Sequence, residues 1–82
     1  MRTFYATFYS HFGAVRFKRI CDSRNIPAWP MPVPRSLSSS CGTCVRFEAE
    51  DFEAVSPYPE ELEQIAEASG DGFTTCYRAE NA

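Results

Sequence analysis

Sheet order in this chain depends on the stretch Ile26-Pro27-Ala28-Trp29-Pro30-Met31-Pro32-Val33-Pro34. Its last three prolines share one parity, and in an extended strand the N–H groups of residues two apart point to the same edge. Because proline has no N–H, one edge has lost its donors while the other can still pair. A polyproline II segment would not pair at all, but Trp29, Met31 and Val33 alternate as the buried positions of a strand do. The stretch therefore predicts a strand at the edge of a sheet.

Apolar patterns predict the elements that precede this strand. Thr3–Tyr9 alternates apolar residues with tyrosine and threonine, which indicates a first, central strand. Ser10 offers a capping oxygen for a helix that runs to about Arg24, because apolar residues recur there on one stripe. Asn25 and Pro27 are typical of the end of such a helix.

Two strands and a second helix are expected after it. Cys44–Ala49 alternates strictly and predicts a half-buried strand in which Cys44 faces away from the core. Pro59 opens the predicted second helix, which ends at Gly70. Its buried stripe is expected to be Leu62, Ile65, Ala66 and Ser69. Phe73–Arg78 predicts the last strand, and Glu80–Ala82 a tail.

This order of elements predicts the fold class. Strand, helix, strand, strand, helix, strand is the βαββαβ order of a ferredoxin-like α+β sandwich, with a four-stranded antiparallel sheet and two helices on one face. That topology places the second strand at an edge, as the prolines do. The other face would stay open, and we expect it to serve as a homodimer surface or to remain exposed. Its side chains would be Tyr5, Tyr9, Arg46 and Tyr77.

Composition favours a small protein that binds or carries a group over one with a deep substrate cavity. The chain has 82 residues and seven phenylalanines, enough for one domain, residues 1–82, with a core that needs no disulfides. Met1 and Arg2 run directly into the first strand without a signal-like segment, which predicts a location in the reducing cytoplasm. No apolar run approaches the length of a membrane span, so no membrane partner is expected.

Charge is unevenly distributed along the sequence. Residues 1–41 hold most of the basic side chains, and the later half holds most of the acidic ones, for a net charge of −3. This asymmetry can steer a partner protein, although two oppositely charged, solvated helix faces are the simpler explanation. An acidic chain whose cations lie on one helix does not indicate a nucleic-acid partner.

The segment Cys41-Gly42-Thr43-Cys44 is where reactive chemistry is most plausible. It follows the serine-rich run 35–40, which is typical of an accessible loop. A cysteine that attacks must ionise, and Arg35 together with nearby hydroxyl and N–H groups would favour its thiolate. The expected donors are the hydroxyls of Ser38, Ser39 and Ser40 and the backbone N–H groups of Gly42 and Thr43. Gly42 would also permit a positive φ and leave one side of Cys41 open.

These residues resemble a known family. The run Pro32-Val33-Pro34-Arg35-Ser36-Leu37-Ser38-Ser39-Ser40-Cys41-Gly42, preceded by a strand and helix and followed by an alternating strand, is similar to the small bacterial selenium/sulfur carrier-like proteins. The resemblance extends over about Thr3–Phe47. It implies a persulfide or selenide carrier centred on Cys41, with Arg35 as its neighbour in the motif. Cys44 lies outside the motif.

The expected mechanism is a relay with a sulfur or selenium donor protein on one side and an acceptor enzyme on the other. Cys41 would attack a donor's persulfide and hold the outer atom until an acceptor takes it, and Cys44 would be available to resolve it as a disulfide. Arg35 would stabilise the thiolate, while Ser39, Ser40 and Gly42 would bind around it. The chain would act as a carrier rather than a turnover enzyme. Neither a metal nor a cofactor is expected.

Three alternatives remain open on sequence alone. A thioredoxin-like oxidoreductase would use both thiols, although a helix rather than a strand follows the pair in that fold. A zinc site would combine Cys41 and Cys44 with two of Cys21, Cys76 and His11. The third is a partner-binding module with inert cysteines. His11 can act as an acid or base toward Cys41, but the sequence gives it no positioning partner and is equally consistent with an exposed helix start.

Overall fold

A computed structural model describes residues 1–79, which form one sheet and one helix. The strands are β1 (Arg2–Phe8), β2 (Ala28–Pro32), β3 (Thr43–Ala49), β4 (Leu62–Ser69) and β5 (Gly72–Arg78), and the helix is α1 (His11–Ser23). A 3₁₀ turn spans Phe52–Val55. The five strands are antiparallel in the order β2-β3-β1-β4-β5. The expected tail, Glu80–Ala82, lies outside the described residues.

The ferredoxin-like prediction is wrong. The second helix expected between Pro59 and Gly70 is strand β4, so residues 1–79 form a five-stranded sheet with a single helix rather than four strands with two helices. The predicted places of the first two strands are confirmed, because β1 is central and β2 lies at an edge. The strand predicted over Phe73–Arg78 exists as β5, but β4 occupies the place next to β1 and β5 forms the outer edge.

β4 forms because its pairing outweighs its helical composition. It is paired on both sides, to β1 and to β5, and a two-residue loop at Gly70 and Asp71 joins it to β5. Gly70 has a φ of 56°, which suits the first position of a tight hairpin turn. Residues such as Glu, Leu and Ala favour helices by only tenths of a kcal/mol each, roughly 0.7 at most. Strand pairing and burial exceed that preference.

α1 has the limits that the sequence predicts. The Ser10 hydroxyl accepts from the N–H of Gly13, and the helix closes with Ile26 N–H donating to Cys21 and Asn25 N–H donating to Asp22. Asn25 takes a φ of 58° as the residue after the cap, so the helix ends in a Schellman arrangement. Residues 1–79 contain no helix of the length and apolarity that a membrane crossing requires.

The core lies between α1 and one face of the sheet. Phe17 of α1 meets Phe8 of β1 and Phe47 of β3 with ring centroids 5.2 and 5.5 Å apart, and Phe4 stacks on Phe47 at 5.2 Å. Beyond the helix, Phe52 and Val55 of the 3₁₀ turn cover the same face. Tyr77 packs on this side, so its predicted place on the open face is wrong.

The opposite face carries Tyr5 and Arg46, as predicted, because they pair across β1 and β3. Trp29 lies on this face too and is 41 % exposed, with the Arg46 guanidinium 4.5 Å from its ring centre. Its predicted burial is therefore wrong: the helix does not reach this side of the edge strand. The homodimer through this face stays a prediction.

Two phenylalanine truncations on α1 test this arrangement. Phe17→Ala removes a ring with no exposure from the centre of the core, and we expect it to lower the free energy of unfolding by about 3–5 kcal/mol. Phe12→Ala removes the same ring at a position that is 62 % exposed, and we expect a change within about 0.5 kcal/mol. Urea unfolding measures both. Similar losses from the two changes would contradict the packing described here.

Candidate functional site

The serine-rich loop between β2 and β3 folds onto the sheet face opposite α1. Its base is closed by Val33 N–H donating to the Gly42 carbonyl at 3.1 Å, and Leu37 is buried within it. The loop covers three side chains that would otherwise be open to solvent on this face, Thr7, Cys44 and Gln64. This covering of one end of the open face was not predicted.

Two neighbouring residues of β4 hold the loop down. The Glu63 carboxylate accepts hydrogen bonds from the N–H and the hydroxyl of Ser40 at 3.2 and 3.0 Å, and from the Thr7 hydroxyl at 3.2 Å. The Gln64 amide donates to the Ser38 carbonyl at 3.0 Å. A carboxylate with three donors is a strong acceptor, because hydrogen bonds to charged groups are about twice as strong as neutral ones.

A β-bulge explains how both residues reach the loop. Thr7 pairs with Gln64 and Phe8 pairs with Leu62, so Glu63 has no partner on β1. In a regular strand, consecutive side chains point to opposite faces. The extra residue breaks this alternation, and both Glu63 and Gln64 contact the loop.

Cys41 is half-buried and fixed mainly through its backbone. Its N–H donates to the Ser39 hydroxyl oxygen at 3.4 Å, and Ser39 in turn donates to the Phe8 carbonyl at 3.4 Å. The thiol itself donates to the Thr43 carbonyl at 3.4 Å. Gly42 has a φ of 78°, which confirms the expected positive φ, and a Cβ placed there would meet no atom within 4 Å. The backbone beside the sulfur is thus open to an approaching molecule.

His11 has the positioning partner that the sequence did not reveal. As the first residue of α1, it places Nδ1 3.2 Å from the Thr43 hydroxyl, while the Thr43 carbonyl holds the Cys41 thiol. The start of the helix and the end of the serine-rich loop therefore meet at Thr43. Only the three-dimensional pairing of α1 with β3 brings the two together, so the sequence alone gave no signal.

Cys44 faces away from α1 as predicted, but it is not accessible. The loop covers it completely, and its thiol lies 3.8 Å from the Pro32 carbonyl, a weak hydrogen bond. Burial raises the pKa of the Cys44 thiol to about 11, and the neighbouring Cys41 adds to the rise. This thiol is protonated near neutral pH.

Among the residues described, the fold leaves the other predicted site residues without a hydrogen bond to the Cys41 sulfur. Ser39 and Ser40 adjoin Cys41, but their hydroxyls donate to the Phe8 carbonyl and the Glu63 carboxylate rather than to its sulfur, so their binding role stays a prediction. Arg35 is exposed, and within residues 1–79 its guanidinium makes neither a hydrogen bond nor an ion pair. Its role toward the thiolate therefore stays a prediction, as does the resolving role of Cys44.

The remaining cysteines lie apart from the loop. Cys21 lies on the core-facing side of α1 and is fully buried, and burial raises the pKa of its thiol to about 11. Cys76 lies on β5, at the far edge of the sheet from β2. In the described part of the chain all four cysteines are free, and no three potential ligand side chains are grouped to hold a metal ion.

Fold and site together define a small single-sheet protein that presents one half-buried thiol on a loop clamped to the sheet. The chain belongs to the family described as "Putative Se/S carrier protein-like", whose model matches residues 3–78. The suspected family is thereby confirmed, and the match continues well beyond Phe47 through β4 and β5. Comparison with curated proteins and with solved structures gives no match.

Removing the Glu63 carboxylate is expected to release the loop. A hydrogen bond to a charged group contributes about 1.5–3 kcal/mol, so in Glu63→Ala we expect the Ser40 amide to exchange with solvent at least about tenfold faster. Hydrogen exchange followed by NMR measures this. Glu67→Ala is the matched control, because it removes a carboxylate from the same strand that pairs only with Arg2 at the surface. Equal exchange rates of the Ser40 amide in the two variants would contradict the role of Glu63 in holding the loop.

The thiols are expected to differ in their response to alkylation and pH. Near neutral pH, iodoacetamide should modify Cys41 before Cys44 and Cys21. Modification of Cys44 should increase as the pH rises toward about 11, where its thiol ionises. Because its pKa is raised in the folded state, ionisation favours unfolding, so stability should fall as the pH rises from about 8.5. Peptide mass spectrometry locates the label, and equal labelling of Cys41 and Cys44 near neutral pH would contradict the burial.

Proposed function

We propose that this protein carries a sulfur or selenium atom on Cys41, as a persulfide or its selenium counterpart, between a donor protein and an acceptor enzyme. The observation that carries the proposal is the combination at Cys41: a half-buried thiol on a loop held by the sheet, with open space beside Gly42. A carried atom needs a fixed point of attachment and access for two successive partners. Membership of the family supports the same role.

The transfer requires no redox cofactor. The Cys41 thiolate attacks the outer sulfur of the donor's persulfide, a new S–S bond forms, and the donor's own S–S bond breaks. The donor cysteine leaves as a thiolate, and the outer sulfur keeps its proton, so the product is Cys41–S–SH. Delivery to an acceptor thiolate repeats the step in the other direction. One sulfane sulfur moves, and no electrons are gained or lost overall.

The surroundings of Cys41 suit each stage of this exchange. In the resting state the Thr43 carbonyl accepts from the thiol, and the Cys41 N–H donates to the Ser39 hydroxyl oxygen, so both donors of Cys41 are satisfied. The open space at Gly42 would leave room for an outer sulfur on the neighbouring Cys41. Arg35 is exposed on the same loop, and in this proposal its guanidinium attracts the anionic forms of the cargo.

One thiol is sufficient for this role. Cys44 is covered by the loop, and with a pKa of about 11 it supplies little thiolate near neutral pH. A buried thiol protects the carried atom, because premature attack by Cys44 would release it as sulfide and leave a disulfide that needs reduction. Hand-over of this kind suits the reducing cytoplasm, where free thiols persist.

Intact-mass measurement after loading tests the proposal. Incubation with a cysteine desulfurase and L-cysteine, or with inorganic polysulfide, should add the mass of one sulfur atom, removable by dithiothreitol. The gain should be lost in Cys41→Ser and kept in Cys44→Ala, which leaves a small apolar side chain under the loop.

Two results would contradict the carrier role. A loss of two hydrogen atoms with a Cys41–Cys44 disulfide and no persulfide would favour a dithiol redox protein. Retention of the added sulfur in Cys41→Ser would place the carrying residue elsewhere. Circular dichroism of each variant controls for loss of folding.

A further inference from the structure

A groove of about 290 Å³ lies between α1 and the edge strand β2 and ends at Thr43, beside the serine-rich loop. Its walls are largely apolar, with Ala14 and Val15 from the helix facing Pro30 from the strand. Lys18 and Arg19 lie toward its other end, about 10–12 Å along the helix from His11. The groove thus has an apolar floor and a basic end.

The inner end of the groove is connected to the reactive thiol. His11 and Thr43 line it there, and they are joined by the hydrogen bond between Nδ1 and the Thr43 hydroxyl. The carbonyl of the same threonine accepts from the Cys41 thiol at 3.4 Å. A molecule seated in the groove therefore touches the residue that holds the sulfur.

The neighbouring edge of β2 restricts what can bind. Pro30 and Pro32 have no N–H, so at these two positions the outer side of the strand cannot donate the hydrogen bonds that an added strand requires. The N–H groups of the alternate residues point toward β3 instead, as the hydrogen bond from the Val33 N–H to the Gly42 carbonyl shows. An occupant of the groove must bind through side chains, and an amphipathic helix does this.

The exposed surface around the groove favours an acidic, apolar occupant. Val15 is 44 % exposed on the helix, next to the largely exposed Phe12. Lys18 pairs with Asp22, whereas Arg19 makes no ion pair with any residue from 1 to 79. An apolar strip with an unpaired guanidinium at its far end is complementary to a helix that carries apolar side chains and carboxylates.

We propose that this groove is the docking site for an acidic amphipathic helix of the persulfide donor protein. The donor's apolar side chains insert between Val15 and Pro30, and its carboxylates meet Arg19, which brings the donor's persulfide to Cys41. This inference rests on the carrier role proposed above and adds a partner surface to it.

Two variants and a matched control test the site. Val15→Glu and Arg19→Glu are exposed changes on the helix and are expected to preserve folding. Thr75→Glu adds the same charge as Val15→Glu at an exposed position of β5, at the opposite edge of the sheet. Loading of Cys41 is followed by mass against time with two donors: a cysteine desulfurase with L-cysteine, which needs a protein surface, and inorganic polysulfide, which does not.

We expect both groove variants to load at least about tenfold more slowly from the desulfurase and within about twofold of the unmodified chain from polysulfide. Thr75→Glu should match the unmodified chain with both donors. Equal desulfurase rates in all four proteins, or loading of the unmodified chain by polysulfide alone, would overturn the docking site while leaving the carrier role intact. Failure of Cys41 to load from either donor would instead remove the carrier role, and the docking site with it.

Discussion

The bulge between β1 and β4 is the constraint on which the site depends. By leaving Glu63 without a partner on β1, it turns two consecutive polar side chains toward one face of the sheet. Glu63 then holds Ser40, and Gln64 holds Ser38, on either side of the residue whose hydroxyl supports Cys41. A regular ladder would direct only one of the two to this face. The loop would then lose the hydrogen bonds that one of the two side chains makes to it.

Burying part of the Glu63 carboxylate beneath the loop has an energetic cost that its hydrogen bonds must offset. A half-buried carboxylate is unfavourable unless its oxygens are satisfied, and Glu63 meets this requirement with three donors. Thr7 is one of these donors and is itself fully buried by the loop. Carboxylate and loop therefore stabilise each other: each is favourable only while the other is in place. This mutual dependence gives a loop rich in serine a defined conformation.

The same bulge explains why the sequence was misleading in its second half. Leu62 and Ile65 pair with Phe8 and Ala6, two residues that face the helix, so both lie on the core side although they are three positions apart. Spacing by three is the mark of a helical stripe, and a regular strand would have shown spacing by two. With a proline and two glutamates before it, the segment had the composition of a helix start as well. The tight turn at Gly70 was the signal that a hairpin would follow.

The first half was predictable because its signals are covalent and local. Proline lacks its N–H in any context, so the position of β2 at an edge followed from the sequence, and the caps at Ser10 and Asn25 are equally local. The loop and the positive φ at Gly42 could be expected for the same reason. The contacts of Glu63, Gln64 and His11 could not, because they depend on which strands become neighbours. Local chemistry predicted where the thiol is, and tertiary pairing determined what surrounds it.

The prolines of β2 have a consequence beyond the order of the strands. An edge strand with free donors invites pairing with another chain, and a reactive loop next to such an edge would be covered by it. Removing the donors keeps this edge unpaired and leaves a groove between the strand and α1 that side chains can fill. β5, the other edge, has no prolines and lies farthest from Cys41. The edge that is protected from strand addition is thus the one beside the thiol, which is what the proposed hand-over between proteins requires.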